Sequence, residues 1–258
     1  METLKIVKIG GHIINDELAL NAFLDDFAQL ASPKILVHGG GKSATEMAQQ
    51  LNVPVEMING RRVTNAATLD IITMLYAGKI NKTIVAKLQA KNVNAIGFSG
   101  ADANTIVAEK RSVTAIDFGF VGDIQKVNTA HLELLLDYDI IPVFCAITHD
   151  QNGQLLNTNA DTVASELAIA FANAYLTELY YCFEKNGVLE NVHNDDSVIE
   201  TIDTKNYQTL LKKNSIADGM LPKLTNCFHA IQHEVAKVHI GKSGMLLNNK
   251  LKHTIIQK

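Results

Sequence analysis

The nine residues Ile35-Leu36-Val37-His38-Gly39-Gly40-Gly41-Lys42-Ser43 constrain the fold of this chain most. A short apolar, β-branched run breaks into three glycines, and helical spacing follows from about Ala44 to Leu51. That order predicts a strand buried on both faces, a bare-backbone turn and a helix N-terminus. Glycine at such a turn lets main-chain N–H groups come close to an anion, and the helix dipole adds to the attraction. The first strand repeats the design, because Leu4-Lys5-Ile6-Val7-Lys8-Ile9 runs into Gly10-Gly11 with a lysine near the strand's end. Together the two turns read as a site for a phosphate and for the group that receives it.

Two better-known motifs account for these glycines less well. A P-loop requires G-x-x-x-x-G-K-[ST], but Leu36 stands where the first glycine belongs before Gly41-Lys42-Ser43. Gly241-Lys242-Ser243 fails in the same way, with Ala236 at that position. A dinucleotide fingerprint matches Gly39-x-Gly41-x-x-Ala44. Its ribose-binding acid should end the second strand about 20 residues on, and Glu56 comes too early and follows Pro54. A tight turn with no ligand is the remaining reading of either turn taken alone.

A chain of 258 residues, 47% hydrophobic and 19% charged, suits one large α/β domain or two unequal lobes. The net charge of −4 argues against a general nucleic-acid binder. No apolar run approaches the roughly 18 residues of a membrane span, and the N-terminus lacks the apolar stretch of a signal peptide. Cys145, Cys182 and Cys227 are odd in number and widely spaced, with no Cys-x-x-Cys pair. They are expected to be buried free thiols of a cytoplasmic protein, and no metal site is expected from them.

Leu18, Leu20, Phe23, Leu24, Phe27 and Leu30 repeat at helical spacing behind Asp16, a candidate N-cap, and Pro33 ends that helix. Residues 53–57 read as short and extended, and 59–64 as a polar loop with two arginines. A mostly helical stretch is expected over 66–90, broken near Gly78 and serving as a core helix or a subunit interface. Strands are expected over 93–98, 140–144, 176–183, 237–240 and 254–256, hairpins between 103 and 127, and a turn at 150–153 that closes another hairpin. Helices are expected over 132–136, from the cap at 157–161 to about 172, and from 217–223 to about 234, with 191–197 an exposed acidic segment. This alternation predicts an α/β fold with a mostly parallel sheet covered on both faces.

Five pieces stand in order: Lys8-x-Gly10-Gly11, His38-Gly39-Gly40-Gly41, Asn59-Gly60-Arg61-Arg62-Val63-Thr64, Asn157-x-Asn159-x-Asp161 and Asp218-Gly219-Met220-x-x-Lys223. The set resembles the amino acid kinase family over essentially the whole chain, and within it the branch that phosphorylates N-acylglutamates. The resemblance implies a three-layer αβα sandwich of two lobes, with 1–173 binding N-acyl-L-glutamate and dimerising and 174–258 binding ATP with Mg²⁺. It also implies that Lys8 and Lys223 are catalytic cations on opposite sides of the transferring group, with Asp161 pairing to both. Gly11, Gly39 and Gly40 would offer N–H groups to the γ-phosphate and the acceptor carboxylate. Arg62, Asn157 and Asn159 would hold the substrate, arginine suiting its α-carboxylate through a planar fork. Gly10, Gly11, Glu184, Asn186, Gly187, Leu189, Asp218, Gly219 and Met220 would surround ATP. An ionised carboxylate acceptor needs no proton removed, so no general base is expected. His38 and His12 are left with structural roles.

The sequence departs from that family's pattern in three places. Glu184-Lys185-Asn186-Gly187-Val188-Leu189 stands where an aspartate-containing nucleotide loop is usual, and residues 97–103 are smaller than usual. Arg61 adds a positive charge, expected either to sit at the surface or to receive the extra carboxylate of an N-succinyl substrate in place of an N-acetyl one. Strand one starts at about Thr3, which leaves no room for a preceding helix and suggests a homodimer without arginine feedback. A catalytically idle nucleotide-binding relative is the alternative from another class, and the joint presence of Lys8, Asp161 and Lys223 weighs against it. A dinucleotide-binding oxidoreductase is the third.

Overall fold

The computed structural model describes residues 1–58, 60–191, 193–207 and 220–258. In chain order the strands are β1 (Thr3–Ile9), β2 (Lys34–His38), β3 (Met57–Ile58), β4 (Arg61–Arg62), β5 (Ala95–Phe98), β6 (Ile106–Lys110), β7 (Gly122–Val127), β8 (Ile141–Cys145), β9 (Ile147–His149), β10 (Leu155–Asn157), β11 (Leu176–Cys182), β12 (Thr201–Ile202), β13 (Lys237–Gly241) and β14 (Thr254–Ile256). The α-helices are α1 (Gly11–Asn15), α2 (Glu17–Gln29), α3 (Gly41–Gln50), α4 (Ala66–Thr73), α5 (Asn81–Gln89), α6 (Ala130–Asp137), α7 (Ala160–Phe171) and α8 (Leu221–Gln232).

Eight strands form one sheet in the order β12-β14-β13-β11-β1-β2-β8-β5. The run from β13 to β5 is parallel throughout, and β14 turns antiparallel to β13 at the other edge. All five residues of β2 and of β8 are buried, which requires cover on both faces. Right-handed crossovers put α1 to α5 on one face, where α2 packs on α5, and α6 to α8 on the other, where α7 packs on α8. The expected three-layer αβα sandwich is what the chain forms. A second sheet, β10-β9-β6-β7, contains the hairpins expected between 103 and 127 and around 150–153.

The strand order reverses at β1. The chain first steps outward through β2 to the edge strand β5, inserts β8 between those two, then crosses back to lay β11 and β13 on the other side of β1. Ligands of open α/β sheets bind in the crevice outside the strand carboxyl ends at such a switch point. Here that crevice lies beyond Ile9, His38 and Cys182, which are register partners across β2, β1 and β11.

Local physics explains how the flanking helices are set. Asp16 caps α2, its side chain accepting from the Ala19 N–H at 2.9 Å. Leu20, Phe23, Leu24 and Phe27 form its buried stripe, each contributing roughly 1.5–3 kcal/mol by leaving water. Leu18, expected in that stripe, is 81% exposed because it lies two residues before Leu20, off the buried face. Buried Lys34, the first residue of β2, closes the helix: its Nζ donates to the carbonyls of Phe27 (2.8 Å), Ala28 (3.2 Å) and Leu30 (2.6 Å). The Phe27 carbonyl also accepts from the Leu30 N–H at 3.2 Å, and the lysine adds its donors at a helix end, where intrahelical donors run out.

Two segments differ from expectation. Within the expected polar loop, Arg61 and Arg62 pair with Ile58 and Met57 as two short antiparallel strands, which no two-residue strand can announce by periodicity. The break expected near Gly78 is a π-helical segment, Met74–Ile80, that joins α4 to α5 without interrupting the rod. Wider turns of this kind re-aim side chains and are frequent at functional sites.

Two buried imidazoles make the fold sensitive to acid. His239 stacks on Tyr180 with ring centroids 4.4 Å apart, and a hydrogen bond of 3.0 Å joins its Nδ1 to His253 Nε2. Burial, with His253 and Lys237 adding to it, pushes His239 down to about 3. Burial likewise pushes His38 down to about 4 against a hydrogen bond to Gly39. Between those values and the ordinary 6.5 the unfolded chain binds more protons than the folded one, so stability falls as pH drops below 6.5. The expected loss is about 2 kcal/mol per imidazole at about pH 5, read by urea unfolding at about pH 7.5 and about pH 5. His239→Phe, which keeps the ring stack, is expected to remove part of the difference; an identical difference in this variant would exclude His239 as its source.

Candidate active site

The site grows from the ends of three parallel strands and from two helices laid against them. Lys8 is the penultimate residue of β1, and its Nζ lies 2.6 Å from Asp161 Oδ1. Lys223, in the first turn of α8, donates to Asp161 Oδ2 at 2.8 Å. One carboxylate thus bridges two ammonium groups that are 215 residues apart in the chain by their numbers, Lys8 and Lys223. The three side chains are only 13%, 17% and 15% exposed for Lys8, Asp161 and Lys223.

Asp161 is positioned by the start of α7. Asn159 is the N-cap, its side-chain oxygen accepting from the N–H groups of Asp161 (2.7 Å) and Thr162 (3.3 Å). Tyr181 of β11 is fully buried and donates its hydroxyl to the Asp161 carbonyl at 2.9 Å. The Lys223 ammonium sits over the same ring, 4.6 Å from its centroid, which adds a cation–π attraction. Burial alone would raise the Asp161 carboxyl, but Lys8 and then Lys223 outweigh it and hold it well below the usual carboxylate range. Burial is also the largest influence on Lys8 and, with Lys223, lowers its ammonium against the pull of Asp161. The cluster carries one net positive charge in a site largely shielded from water, where charge acts strongly.

The two glycine turns flank this cluster. A methyl on Gly10 would lie 3.9 Å from Lys8 Nζ, so the lysine head stands over its own turn. Gly39 faces the first residue of α7, a methyl there coming 3.7 Å from Ala160 Cβ. Gly40 has no room for a side chain: its Cβ would fall 2.6 Å from Ile80 Cδ1 and 2.7 Å from the Tyr76 ring. Gly40 is also the N-cap of α3, whose first N–H groups have no helical acceptors.

Arg62 and Asn157 converge from a different direction. Arg62 is buried and its Nη2 donates to the Gly41 carbonyl (2.9 Å) and to Thr45 Oγ1 (2.7 Å). Its Nη1 is buried without a hydrogen-bond acceptor among the described residues. Asn157 Nδ2 donates to Thr64 Oγ1 at 2.9 Å, and the Thr64 hydroxyl donates to the Arg62 carbonyl at 3.2 Å. Bridges from Thr64 to Gly119 and from Val121 to Asn157 tie the hairpin to the second sheet. Arg61 points the other way and is exposed.

The residues expected around a nucleotide are more dispersed. Asn186 lines a cleft of about 500 Å³ with Lys242, Ser243, Gly244, Met245, Leu251 and Lys252, beyond the ends of β11 and β13. Glu184 is exposed. Gly187 is packed beneath, where a Cβ would fall 2.6 Å from Thr254 Oγ1 and 2.7 Å from Val198 Cγ1. Leu189 is buried and bridges to Val198. Met220 is partly buried against the core, and Asp218 and Gly219 lie outside the described residues. Sequence reasoning missed Tyr76, Tyr181 and the Lys242-Ser243-Met245 wall. Only the wall had a signal, a strand ending in Gly241-Lys242-Ser243. Cys145, Cys182 and Cys227 are all buried and free, and burial raises each thiol, Cys145 to about 12.

The sequence pattern of the amino acid kinase family matches residues 3–242. The chain is 51% identical over 248 residues to the acetylglutamate kinase of Cytophaga hutchinsonii, covering 96% of this chain and 94% of that one. It is 48% identical over 257 residues to the acetylglutamate kinase of Phocaeicola vulgatus, covering 100% and 99%. Carbamate kinase from Giardia lamblia, solved bound to AMP-PNP, shares the fold with a TM-score of 0.69 at 13% identity, covering 100% of this chain and 99% of that one. With a family match of that extent laid over its switch-point site, this chain belongs to the amino acid kinase family.

Proposed function

We propose that this chain moves the γ-phosphoryl group of ATP onto the γ-carboxylate of N-acetyl-L-glutamate, forming ADP and N-acetyl-L-glutamyl 5-phosphate in arginine biosynthesis. The observation that carries the reading is the single carboxylate of Asp161 bridging Lys8 and Lys223 beside two glycine turns at the strand ends. The acetylglutamate kinases to which the chain is similar support the choice of acceptor.

A carboxylate oxygen of the substrate attacks the γ-phosphorus while the bond to the β,γ-bridging oxygen breaks, so negative charge spreads over the transferring oxygens and grows on ADP. The protein's part is to position and to neutralise. Lys8 and Lys223 are the cations for that charge, both held by Asp161, whose own low proton affinity makes it no base. Gly11, Gly39 and Gly40 supply N–H donors on the two sides of the transfer. Arg62, with Nη2 anchored and buried Nη1 free of an acceptor, is built to take the α-carboxylate. Asn157 holds the acylated amine, and Asn159 acts on the substrate side through the helix start it caps. ATP lies over the turn at Gly10 and Gly11 and reaches the cleft at Asn186, with Glu184, Gly187, Leu189 and Met220 shaping its rim and floor. Both Asp161 oxygens are taken by lysines, so this carboxylate would not hold Mg²⁺, which when bound with ATP would supply further positive charge to the phosphates. Residues 1–173 form the acylglutamate lobe and 174–258 the ATP lobe.

The assembly is a cytoplasmic homodimer in this reading. Strand β5 ends the main sheet with no strand beyond it among the described residues. Its Ile96 is 41% exposed, an apolar residue on an open sheet edge that a second copy covers. No helix of the described residues is long and apolar enough to cross a membrane.

Three outcomes are expected. An ADP-release assay with Mg-ATP and hydroxylamine trapping shows turnover with N-acetyl-L-glutamate that exceeds turnover with N-succinyl-L-glutamate; the reverse order would give the exposed Arg61 the role of acyl-group reader. Asp161→Asn, which leaves Lys8 and Lys223 facing each other without a counter-charge, lowers kcat by about a hundredfold or more while KM for ATP changes less. A variant of wild-type rate would remove the bridge from the mechanism. Sedimentation gives a dimer that Ile96→Lys dissociates, and a monomeric or hexameric wild-type protein would overturn the assembly.

A further inference from the structure

His38 is fully buried at the end of β2, and every polar atom of its ring is engaged. Its Nδ1 lies 2.9 Å from the Gly39 carbonyl, which only accepts, so Nδ1 carries the proton. Nε2 is then a lone pair, and the Asn81 Nδ2 amide donates to it at 3.1 Å. The second hydrogen of that amide goes to the Val143 carbonyl of β8 at 2.9 Å. Flipping the Asn81 amide would set its oxygen against the Val143 carbonyl, so the network itself fixes the orientation. Asn81 Oδ1 accepts no hydrogen bond among the described residues and presses on β5: a methyl on Gly97 would fall 1.8 Å from it. Asn81 therefore ties β2 to β8 by hydrogen bonds and packs on β5.

Asn81 can reach this point because of what precedes it. The π-helical segment Met74–Ile80 ends immediately before Asn81, and from the same segment Tyr76 and Ile80 close on Gly40. Tyr76 and Ile80 of the segment thus meet Gly40 while the next residue, Asn81, meets His38, so one continuous helical stretch bears on both sides of Gly39.

A peptide unit is planar and trans, with its C=O and the following N–H on opposite sides. Holding the Gly39 carbonyl against the buried His38 ring turns the Gly40 N–H away from that ring. We propose that His38 and Asn81 are positioning residues that lock the Gly39–Gly40 peptide plane, so that the Gly40 N–H is set in advance for the charge that develops during phosphoryl transfer. Glycine is the residue least able to hold a conformation unaided, and here its lack of a side chain is demanded by Tyr76 and Ile80. The rigidity that Gly40 cannot supply comes from the imidazole behind it. Burial keeps that imidazole neutral, its proton affinity pushed down to about 4, which preserves the Nε2 lone pair that Asn81 needs.

This inference rests on the phosphotransferase reading, and its test separates the two. The amide nitrogen of asparagine takes the place of Nδ1 in histidine, whereas that of glutamine takes the place of Nε2. His38→Gln is expected to lower kcat about tenfold to a hundredfold, with KM for both substrates within about threefold, because a misaimed donor acts on the transition state. His38→Asn restores the donor to the Gly39 carbonyl and is expected to recover about tenfold of that loss. Equal losses in both variants, or a loss confined to KM, would overturn the proposal. Nitrogen NMR of the labelled wild-type protein gives a readout that needs no turnover. His38 is expected as the neutral form protonated on Nδ1, with the Gly40 amide resonance displaced in His38→Gln and retained in His38→Asn. An Nε2-protonated ring, or an amide resonance unmoved by both variants, would overturn it even in an active enzyme. The expected spectra in a protein that phosphorylates no acylglutamate would sink the proposed reaction and leave the peptide lock standing.

Discussion

The rest of the site depends on one buried carboxylate held between two ammonium groups. Taking three charges out of water is costly, and the cost is offset only where the geometry is good and partners remain on every side. Asp161 meets that condition: each oxygen faces a lysine, its carbonyl receives the Tyr181 hydroxyl, and its N–H is capped by Asn159. Removing Asp161 leaves two ammonium groups facing each other, and removing either lysine leaves one carboxylate oxygen without its cation, so β1, α7 and α8 are held in one arrangement. These elements come from the start, middle and end of the chain, and their meeting makes the switch point of the sheet a site rather than a crevice.

The second constraint is the absence of bulk. At Gly39 and Gly40 the backbone passes between the start of α7 on one side and Tyr76 and Ile80 on the other, which leaves main-chain groups exposed to a ligand and little else. Gly187 and Gly241 do a different job under the C-terminal cleft, where a Cβ would collide with Thr254 or with His253 and Asn186. The same residue type therefore serves ligand approach in one half and close packing in the other. A motif match alone does not tell these apart.

Much of the architecture is legible locally. The both-faces-buried strands, the strand–glycine turns, the Asp16 cap of α2 and the Asn159 cap of α7 follow from residue type and spacing, because hydrogen-bond partners at i+2 or i+3 and side-chain periods are short-range facts. The hairpin at Arg61 and Arg62 escaped because two residues carry no period, and its pairing is decided by contact with the second sheet. Tyr76 and Asn81 escaped because a π-helical segment has the composition of any helix, and only its neighbours show why the extra width is needed. Leu18 has the spacing of a core residue and stands in water, since helix composition says how wide an apolar stripe is and not where its margin falls.

By itself, then, the sequence determined which segments become strand, turn and helix, and it named the charged and glycine residues that gather at the switch point. Those are choices made within a few residues, where backbone sterics, capping and side-chain period dominate. Only the tertiary structure decided that Lys8 and Lys223 share one carboxylate, that Arg62 keeps a buried donor in reserve, and that His38 stands behind the Gly39 peptide. The physical reason is that Lys8, Asp161 and Lys223, and likewise His38 and the Asn81 that fixes its ring, stand tens to hundreds of positions apart. Burial and charge pairing set their geometry, and neither exists until the sheet has closed its order.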